Sequence, residues 1–302
     1  MIRQYLWGKA VETVTKQRRA DLLLVLVTAF WGMSYFLTDL CLKEEMGPMG
    51  LNAFRFLIAF LLLAAVFFPK VRRINRATAK YSLFVGLALA GCYVFYGYGI
   101  TRTSLSNAGF ICALPVVFTP LLDFLFRGTR LKRKLLFAMA LCVFGLALLT
   151  LNESFRPQSG DLLCLGVALC YAMDLLITDQ AVHDPAVDPL TLGVCKVGVV
   201  GVITLVLSLF IETPRLPQSP AVWAAALFLG IFCSGIAFVI QSVQQQYTTA
   251  SHVGLIFTLE PVFSAMVAFF AGERLRPLGY VGAAIMLLSL VLMEVDWPKK
   301  KA

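Results

Sequence analysis

Apolar runs fill most of this chain, and short polar stretches separate them. Ten runs follow one another, with approximate bounds 21–42, 50–69, 80–100, 103–126, 134–151, 161–182, 189–211, 220–246, 249–271 and 277–295. A membrane-spanning helix needs about 20 apolar residues, and a backbone that faces lipid must satisfy its own hydrogen bonds. The pattern therefore predicts an all-α polytopic membrane protein with ten transmembrane helices, which we number as spans 1 to 10.

The composition excludes most soluble classes. Of the 302 residues, 59% are hydrophobic and 14% are charged, whereas soluble domains contain about 45–50% and about 25%. The loops are too short for an extramembrane domain. The eight cysteines all lie in apolar runs and form no CxxC pair, so we expect small buried side chains without disulfides or zinc. Span 1 is expected not to be a cleaved signal peptide, because its apolar run is too long and no small-residue cleavage site follows it.

The basic residues indicate the orientation. The net charge is +9, and the Lys and Arg side chains cluster between apolar runs, as in membrane loops rather than a nucleic-acid-binding face. With a cytoplasmic N-terminus, the inner segments hold 18 of them and the outer segments six. This bias, which arises mostly in the first half, predicts a multi-pass protein of the cytoplasmic (inner) membrane with both termini cytoplasmic. Residues 1–20 form a basic segment, either an interfacial helix or a frayed tail, and residues 297–302 form a basic tail.

The chain contains an internal repeat. The aligned pairs are residues 31–34 (Trp-Gly-Met-Ser) with 171–174 (Tyr-Ala-Met-Asp), 106–109 (Ser-Asn-Ala-Gly) with 251–254 (Ser-His-Val-Gly), and 128–131 (Gly-Thr-Arg-Leu) with 272–275 (Gly-Glu-Arg-Leu). Residues 21–151 and 161–296 therefore form two repeats of five spans each, joined by an external linker at 152–160. Because five is odd, the second copy enters the membrane from the opposite side. Inverted repeats of this kind are typical of alternating-access transporters.

Several motifs resemble those of one family. They are Trp31 and Gly32 in span 1, Arg55 and Phe56 in span 2, and residues 259–262 (Leu-Glu-Pro-Val) together with 272–275. They are similar to EamA-type members of the drug/metabolite transporter superfamily, over about residues 20–295. The resemblance implies ten helices around a central cavity formed mainly by spans 1, 3, 4, 6, 8 and 9. It also implies export of small metabolites, often amino acids, from the bacterial cytoplasm. Leu114 and Pro115 replace the acid-proline pair in the first repeat, so an acid is not expected in both halves.

Ionisable residues inside spans cost roughly 2.5–3.5 kcal/mol each at a helix centre, and four of them stand out. Arg55 and Lys196 are related by the repeat and enter their spans from opposite sides. They fit two charge clamps, one near each mouth of a cavity, or side chains that pair or extend to the interface. Asp174 shares a helix face with Tyr171 and Thr178, which fits a substrate contact or a structural pair.

The fourth ionisable residue, Glu260, precedes Pro261, which should kink span 9. Glu260 fits a protonatable group at a switch, or a buried acid that caps freed backbone groups. Glu260, Pro261 and Lys196 are therefore candidates for gating or proton coupling.

Uncharged side chains complete the candidate substrate site. They are Trp31, Tyr35 and Thr38 in span 1, Tyr93 and Tyr96 in span 3, Asn107 and Phe110 in span 4, Gln241 and Gln245 in span 8, and His252 in span 9. Binding pockets are mostly apolar with a few placed polar groups. The alternatives are packing for the aromatic residues, an interfacial surface for the glutamines, and a structural role instead of a proton relay for the histidine.

The sequence contains no nucleophile, nucleotide or metal motif, so we expect no enzyme activity, no cofactor and no metal site. It predicts a secondary active transporter that exports a small organic metabolite, with an amino acid as the leading class. Alternatives are an exporter of cationic drugs, toxic compounds or nucleotide-type metabolites. From other classes they are a channel, a scaffold or a membrane enzyme. The expected partners are a small-molecule substrate and membrane lipid, without nucleic acid. Proton coupling, transport direction and oligomeric state stay open.

Overall fold

The computed structural model describes residues 2–44, 46–103, 105–150, 158–270 and 276–294, with side chains from residue 15 onward apart from 105, 106 and 294. All regular elements within these ranges are helical. Unbroken helices form span 1 (Ile2–Lys43), span 2 (Pro48–Val66), span 3 (Arg76–Gly99), span 5 (Arg133–Thr150), span 6 (Ser159–Val182), span 7 (Pro189–Ile211) and span 10 (Pro277–Glu294). Span 4 comprises Leu105–Cys112 and Pro115–Arg127, and span 9 comprises Ala250–Phe257 and Glu260–Phe270. Span 8 runs through Pro220–Phe228, the π-helical Leu229–Ile236 and Ala237–Gln244.

The all-α prediction is confirmed. Within the described ranges, nine helices are long and apolar enough to cross a membrane, and a shorter apolar helix at 277–293 gives the tenth span. Residues 2–20 continue span 1 as one helix, so the backbone shows neither a separate interfacial helix nor a frayed tail there. The tail at 297–302, the motif at 272–275 and most of the linker at 152–160 lie outside the described residues.

Local chemistry fixes where the spans begin. Spans 2, 7 and 8 each start with a proline, whose missing N–H costs nothing at the first helical position. The Asn75 side chain caps span 3 by accepting a hydrogen bond from the Thr78 N–H at 2.7 Å. Asp188 caps span 7 in the same way. Partial burial works against its charged form, but hydrogen bonds from Thr191 and the nearby Lys70 hold the pKa of Asp188 below its ordinary value.

Spans 4 and 9 are broken, although their apolar runs predicted continuous helices. The first break falls at Ala113 and Leu114, and the second at Thr258 and Leu259. Proline lacks an N–H and its ring crowds the preceding turn, so the prolines after each break interrupt the hydrogen-bond ladder. The kink expected from Pro261 is therefore present as a break between two half-helices. Spans 4 and 9 hold equivalent places in the two repeats, and residues of both breaks line one small space between them.

The spans of the first repeat pack against spans of the second. Span 2 lies against span 7, span 3 against spans 6 and 7, and span 1 against spans 8 and 9, while spans 5 and 10 pair beside them. We call the end of the bundle where span 1 begins the N-terminal end, and the end where span 1 meets span 2 the opposite end. The Lys134 ammonium, at the start of span 5, donates a hydrogen bond to the Met293 carbonyl oxygen. Span 10 therefore finishes at the N-terminal end.

Candidate substrate cavity

One cavity occupies the half of the bundle nearest the opposite end. Its space, counted out to its open mouth, is about 900 Å³. It is lined by Trp31, Ser34, Tyr35, Thr38, Leu42, Pro48, Leu51, Asn52, Arg55, Leu89, Cys92, Tyr93, Tyr96, Gly97, Ile100, Cys112, Val167, Tyr171, Phe238 and Glu260. Pockets with mostly apolar walls and a few polar groups suit small organic ligands.

Seven spans supply the walls, one more than the resemblance implied. Spans 1, 3, 4, 6, 8 and 9 all contribute, and span 2 joins them through Pro48, Leu51, Asn52 and Arg55. These four residues are spaced i, i+3, i+4 and i+7, so they form one face of the helix. Span 2 is therefore a full part of the cavity.

The structure brings eight of the predicted site residues to this cavity. They are Trp31, Tyr35, Thr38, Arg55, Tyr93, Tyr96, Tyr171 and Glu260. Pro261 lines a smaller adjoining space that shares Tyr35, Tyr171 and Glu260 with the cavity.

Aromatic rings close the cavity toward the N-terminal end. The Trp31 ring centroid lies 4.8 Å from that of Phe257, 5.3 Å from Phe238 and 6.1 Å from Tyr171. The indole N–H donates to the Cys233 carbonyl oxygen at 2.8 Å, which fixes the ring. Spans 1, 6, 8 and 9 therefore meet in a packed aromatic floor on the side of the cavity toward the N-terminal end.

Arg55 is the cation of the cavity, and only 4% of it is exposed. Its Nε donates to the Ser234 hydroxyl at 2.7 Å, and its guanidinium lies over the rings of Phe56 and Tyr93 at 5.3 and 5.4 Å. Among the described residues, it forms no ion pair with a carboxylate. A guanidinium carries five N–H donors, so it retains donors for an anion in the cavity.

Glu260 is the acid of the cavity and begins the second half-helix of span 9. The Tyr35 hydroxyl, from span 1, lies near its carboxylate and interacts with it. The break before Glu260 frees this side chain from a regular helix surface and turns it into the cavity. The cavity thus presents one cation and one acid among aromatic walls.

Asp174, Lys196 and Gln241 lie off the cavity, fully buried between spans 6, 7 and 8. The Lys196 ammonium is 3.5 Å from an Asp174 oxygen and donates to the Gln241 amide oxygen at 3.3 Å. The Gln241 amide nitrogen donates to the other Asp174 oxygen at 2.9 Å. We call these three residues the buried cluster. Asp174 therefore forms an ion pair, which is one of the two roles that the sequence allowed. Its contact with substrate stays a prediction.

Four other candidates also lie off the cavity. The Gln245 amide donates to the Leu175 carbonyl oxygen at 2.6 Å, and Thr178 is fully buried in the same half of span 6. Asn107 donates to the Asp161 carboxylate at 3.2 Å, and Phe110 packs among apolar neighbours.

The last candidate, His252, lies 3.2 Å from Asp21 at the N-terminal end. Its location there gives it a partner in span 1 rather than a place in the cavity. The binding roles of these five residues stay predictions.

Several lining residues were not among the predicted ones. There are twelve of them, and they include Ser34, Asn52, Cys92, Cys112 and Phe238. Asn52 had a usable signal, since a polar residue three positions before Arg55 shares its helix face. Phe238 and the cysteines carried none, because apolar residues in a span face lipid, neighbours or cavity without any difference in type. No group of described His, Cys, Asp or Glu residues is arranged to hold a metal ion.

The fold defines the class of the protein, and comparisons with known sequences define its family. A ten-span bundle with a half-open central cavity is the architecture of a membrane carrier. The chain matches the EamA-like transporter family over residues 18–151 and 158–295, and it belongs to that family. It is therefore a transporter of the drug/metabolite superfamily, a multi-pass membrane protein built from two inverted five-helix repeats.

The relatives are transporters of unassigned substrate. An uncharacterized transporter of Archaeoglobus fulgidus is 27% identical over 282 residues, which are 93% of this chain and 87% of the relative. The uncharacterized transporter YyaM of Bacillus subtilis is 23% identical and covers 81% of this chain and 83% of its own. One crystal structure of a protein has the same fold, with a TM-score of 0.77 at 18% identity over 91% of this chain and 96% of that one.

Proposed function

We propose that the protein is a secondary carrier for amino acids, with a preference for apolar or aromatic side chains. The observation that carries this proposal is that Arg55 and Glu260 both line a single aromatic cavity. An amino acid carries one carboxylate and one ammonium group on the same carbon atom. A cavity with one cation and one acid offers a counter-charge for each of them.

Arg55 supplies the carboxylate site. Its burial removes it from water, and Ser234 uses one of its donors without neutralising its charge. Glu260 acts on Arg55 through electrostatic attraction without an ion pair, and a substrate carboxylate would add a charge-assisted hydrogen bond. The rings of Phe56 and Tyr93 hold the guanidinium plane in place in the meantime.

Glu260 supplies the ammonium site, and the rings enclose the substrate side chain. The Tyr35 hydroxyl lies near the Glu260 carboxylate and interacts with it. Tyr96 faces Tyr35 with ring centroids 6.3 Å apart, and Trp31 forms part of the floor. Aromatic walls favour apolar side chains through buried area.

Counterflow in proteoliposomes tests the substrate class. We expect phenylalanine to compete for transport at least about tenfold better than phenethylamine or phenylpropionate, since each analogue lacks one charge-assisted hydrogen bond. Arg55→Gln should abolish the advantage of phenylalanine over the amine, and Glu260→Gln should abolish its advantage over the acid. Arg72→Gln, on an exposed loop residue, serves as the matched control and should change neither ratio.

Two results would contradict this proposal. If phenethylamine competes as well as phenylalanine and Glu260→Gln removes both, the carrier takes organic cations. If no compound shows saturation or counterflow with folded protein, the protein is not a carrier of this class at all. The same panel with and without a pH gradient reports proton coupling.

We propose further that the protein lies in the cytoplasmic membrane with both termini cytoplasmic, and that it exports its substrate. Lysines and arginines are concentrated in the segments that lead to the N-terminal end of the bundle. In this orientation the cavity opens to the outside, which is the state from which an exported substrate leaves.

Reporter fusions test the topology. After Ala302, a reporter that works only in the cytoplasm should be active. Near Arg156, a reporter that works only outside the cytoplasm should be active. Both sites lie beyond the described residues. The positive-inside bias is the physical reason. A periplasm-active reporter at the C-terminus would contradict the orientation, and fusions into the 128–132 loop serve as the internal control.

A further inference from the structure

We propose that the buried cluster of Asp174, Gln241 and Lys196 is the gate that closes the N-terminal end of the carrier and parts when that end opens. This inference rests on the carrier function proposed above but not on the identity of the substrate. It assigns to the cluster a role in the transport cycle rather than in fixed packing.

The first support is the internal repeat. At the offsets read from the sequence, Asp174 corresponds to Ser34, Lys196 to Arg55 and Gln241 to Gly97. All three counterparts line the open cavity. The three members of the cluster lie outside that cavity and are 0% exposed. Equivalent positions therefore line the cavity in the first repeat and are packed away from it in the second.

The second support is the packing of the helices that carry these residues. Span 8 packs closely along span 7, whereas their counterparts, spans 3 and 2, barely touch. Spans 6 and 8 also meet, and Gln245 ties them through its hydrogen bond to the Leu175 carbonyl oxygen. The second repeat therefore differs from the first in the helix contacts that the buried cluster bridges.

The third support is the chemistry of the cluster. Its three side chains come from three different helices, so any separation of spans 6, 7 and 8 must break the Lys196–Asp174 pair or the Gln241 bridge. Polar groups that separate in a dry interior lose their partners, but those that separate into a water-filled cavity are rehydrated. The charged cluster is thus stabilised by its own contacts when the helix interface is closed, and by water when the interface opens into a cavity.

In an inverted-repeat carrier, the other state is obtained when the two repeats exchange conformations. Spans 7 and 8 would then move apart as spans 2 and 3 are now. Lys196 and Asp174 would face a cavity at the N-terminal end, and the surroundings of Arg55 and Ser34 would close. Thr178 would line the new cavity, because its counterpart Thr38 lines the present one.

Thiol labelling in lipid nanodiscs, which leave both faces accessible, tests the gate. Thr178→Cys reports opening at the N-terminal end, and Thr38→Cys reports opening at the opposite end. Peptide mass spectrometry after exposure to a membrane-impermeant thiol reagent reads each position beside the native cysteines. We expect rapid labelling at position 38 and slow labelling at position 178 in the otherwise unchanged protein.

Removal of the cluster charges should then shift the balance. In the combined variant Asp174→Asn with Lys196→Met, we expect labelling at position 178 to rise about tenfold and labelling at position 38 to fall. Thr204→Val is the matched control: Thr204 is equally buried in span 7, but its hydroxyl bonds only to its own helix, at the Val200 carbonyl oxygen. This control should leave both rates unchanged.

Unchanged labelling at position 178 in a folded double variant would overturn the proposal and leave the cluster as a static structural pair. If the double variant does not fold, Gln241→Leu keeps the charge pair and removes only the bridge, and the same increase is required of it. If the protein does not transport amino acids but gives the expected labelling, the gate proposal is supported and only the proposed substrate class is wrong.

Discussion

Substitution of Arg55 by lysine should lower transport of carboxylate substrates about tenfold while the protein still reaches the membrane folded. Lysine keeps the positive charge but replaces a planar fork of donors with a compact ammonium on a flexible stem. The loss corresponds to about 1.4 kcal/mol, near the value of one charge-assisted hydrogen bond. Lysine also places a methylene group where the Arg55 Nε now donates to the Ser234 hydroxyl at 2.7 Å, so this hydrogen bond is lost from its present geometry.

Arg55→Gln should have the larger effect, of order 100-fold, because it removes the charge as well as the fork. Transport of a carboxylate-free amine should fall less than about twofold in Arg55→Lys, since Glu260 and the aromatic walls are untouched. The measurement is the initial rate of counterflow for phenylalanine and for phenethylamine in the same vesicles.

Equal losses for both compounds would show that Arg55 does not recognise the carboxylate. The structure names the alternative in that case. Arg55 lies between Ser234 of span 8 and Tyr93 of span 3, so it would act as a pin between moving helices that any substrate requires.

Gly282→Ala should strongly reduce the amount and thermal stability of folded protein. A Cβ at this position would lie 2.5 Å from the Gly145 carbonyl oxygen and 2.6 Å from the Leu149 nitrogen. Both are backbone atoms of span 5, so only a shift of a whole helix relieves the clash. Close crossings at small residues are a main source of helix association in membranes, and overpacking of this kind typically costs about 1–3 kcal/mol.

Gly109→Ala is the matched control for this prediction. A Cβ there meets only the Thr150 Cγ2 at 3.7 Å, an ordinary contact. Both glycines lie in helices, so the gain in helix propensity of about 1 kcal/mol is common to the two variants and cancels in the comparison. The measurement is the folded fraction that survives heating, read by size-exclusion chromatography of a fluorescent fusion.

Similar heat resistance of the two variants would contradict the close crossing of spans 5 and 10. Because neither span lines the cavity, transport per folded molecule should stay near its original value in Gly282→Ala. The variant therefore separates the contribution of packing from that of the binding site.

The locations of the spans followed from the sequence because the thickness of the membrane imposes a length that apolar composition alone reveals. The breaks in spans 4 and 9 were only partly foreseen. Pro261 predicted a kink in span 9. For span 4, the sequence showed only that Leu114 and Pro115 replace the acid-proline pair, and no break was predicted there. Whether a proline bends a helix or divides it depends on which neighbours satisfy the freed backbone groups, and those neighbours are distant in the chain.

Arg55 and Lys196 mark the limit of what sequence determines. The repeat makes them equivalent, so reasoning from sequence treats them as two similar clamps. The structure separates them: Arg55 faces an open cavity, while Lys196 is closed in against Asp174 and Gln241. An inverted-repeat carrier is symmetric in sequence but asymmetric in any one conformation, so the difference belongs to the state and not to the residues.

The sequence by itself determined the ten spans, the two inverted repeats, the family and eight of the twenty residues that line the cavity. Those features depend on local apolarity, periodicity and motif, which are properties of short stretches of chain. The tertiary structure alone decided that span 2 joins the wall, that Trp31 and Phe257 close the floor, and that Asp174 pairs with Lys196. These outcomes depend on which helix faces meet, and in a bundle of uniformly apolar helices the choice of face is set by packing among all ten.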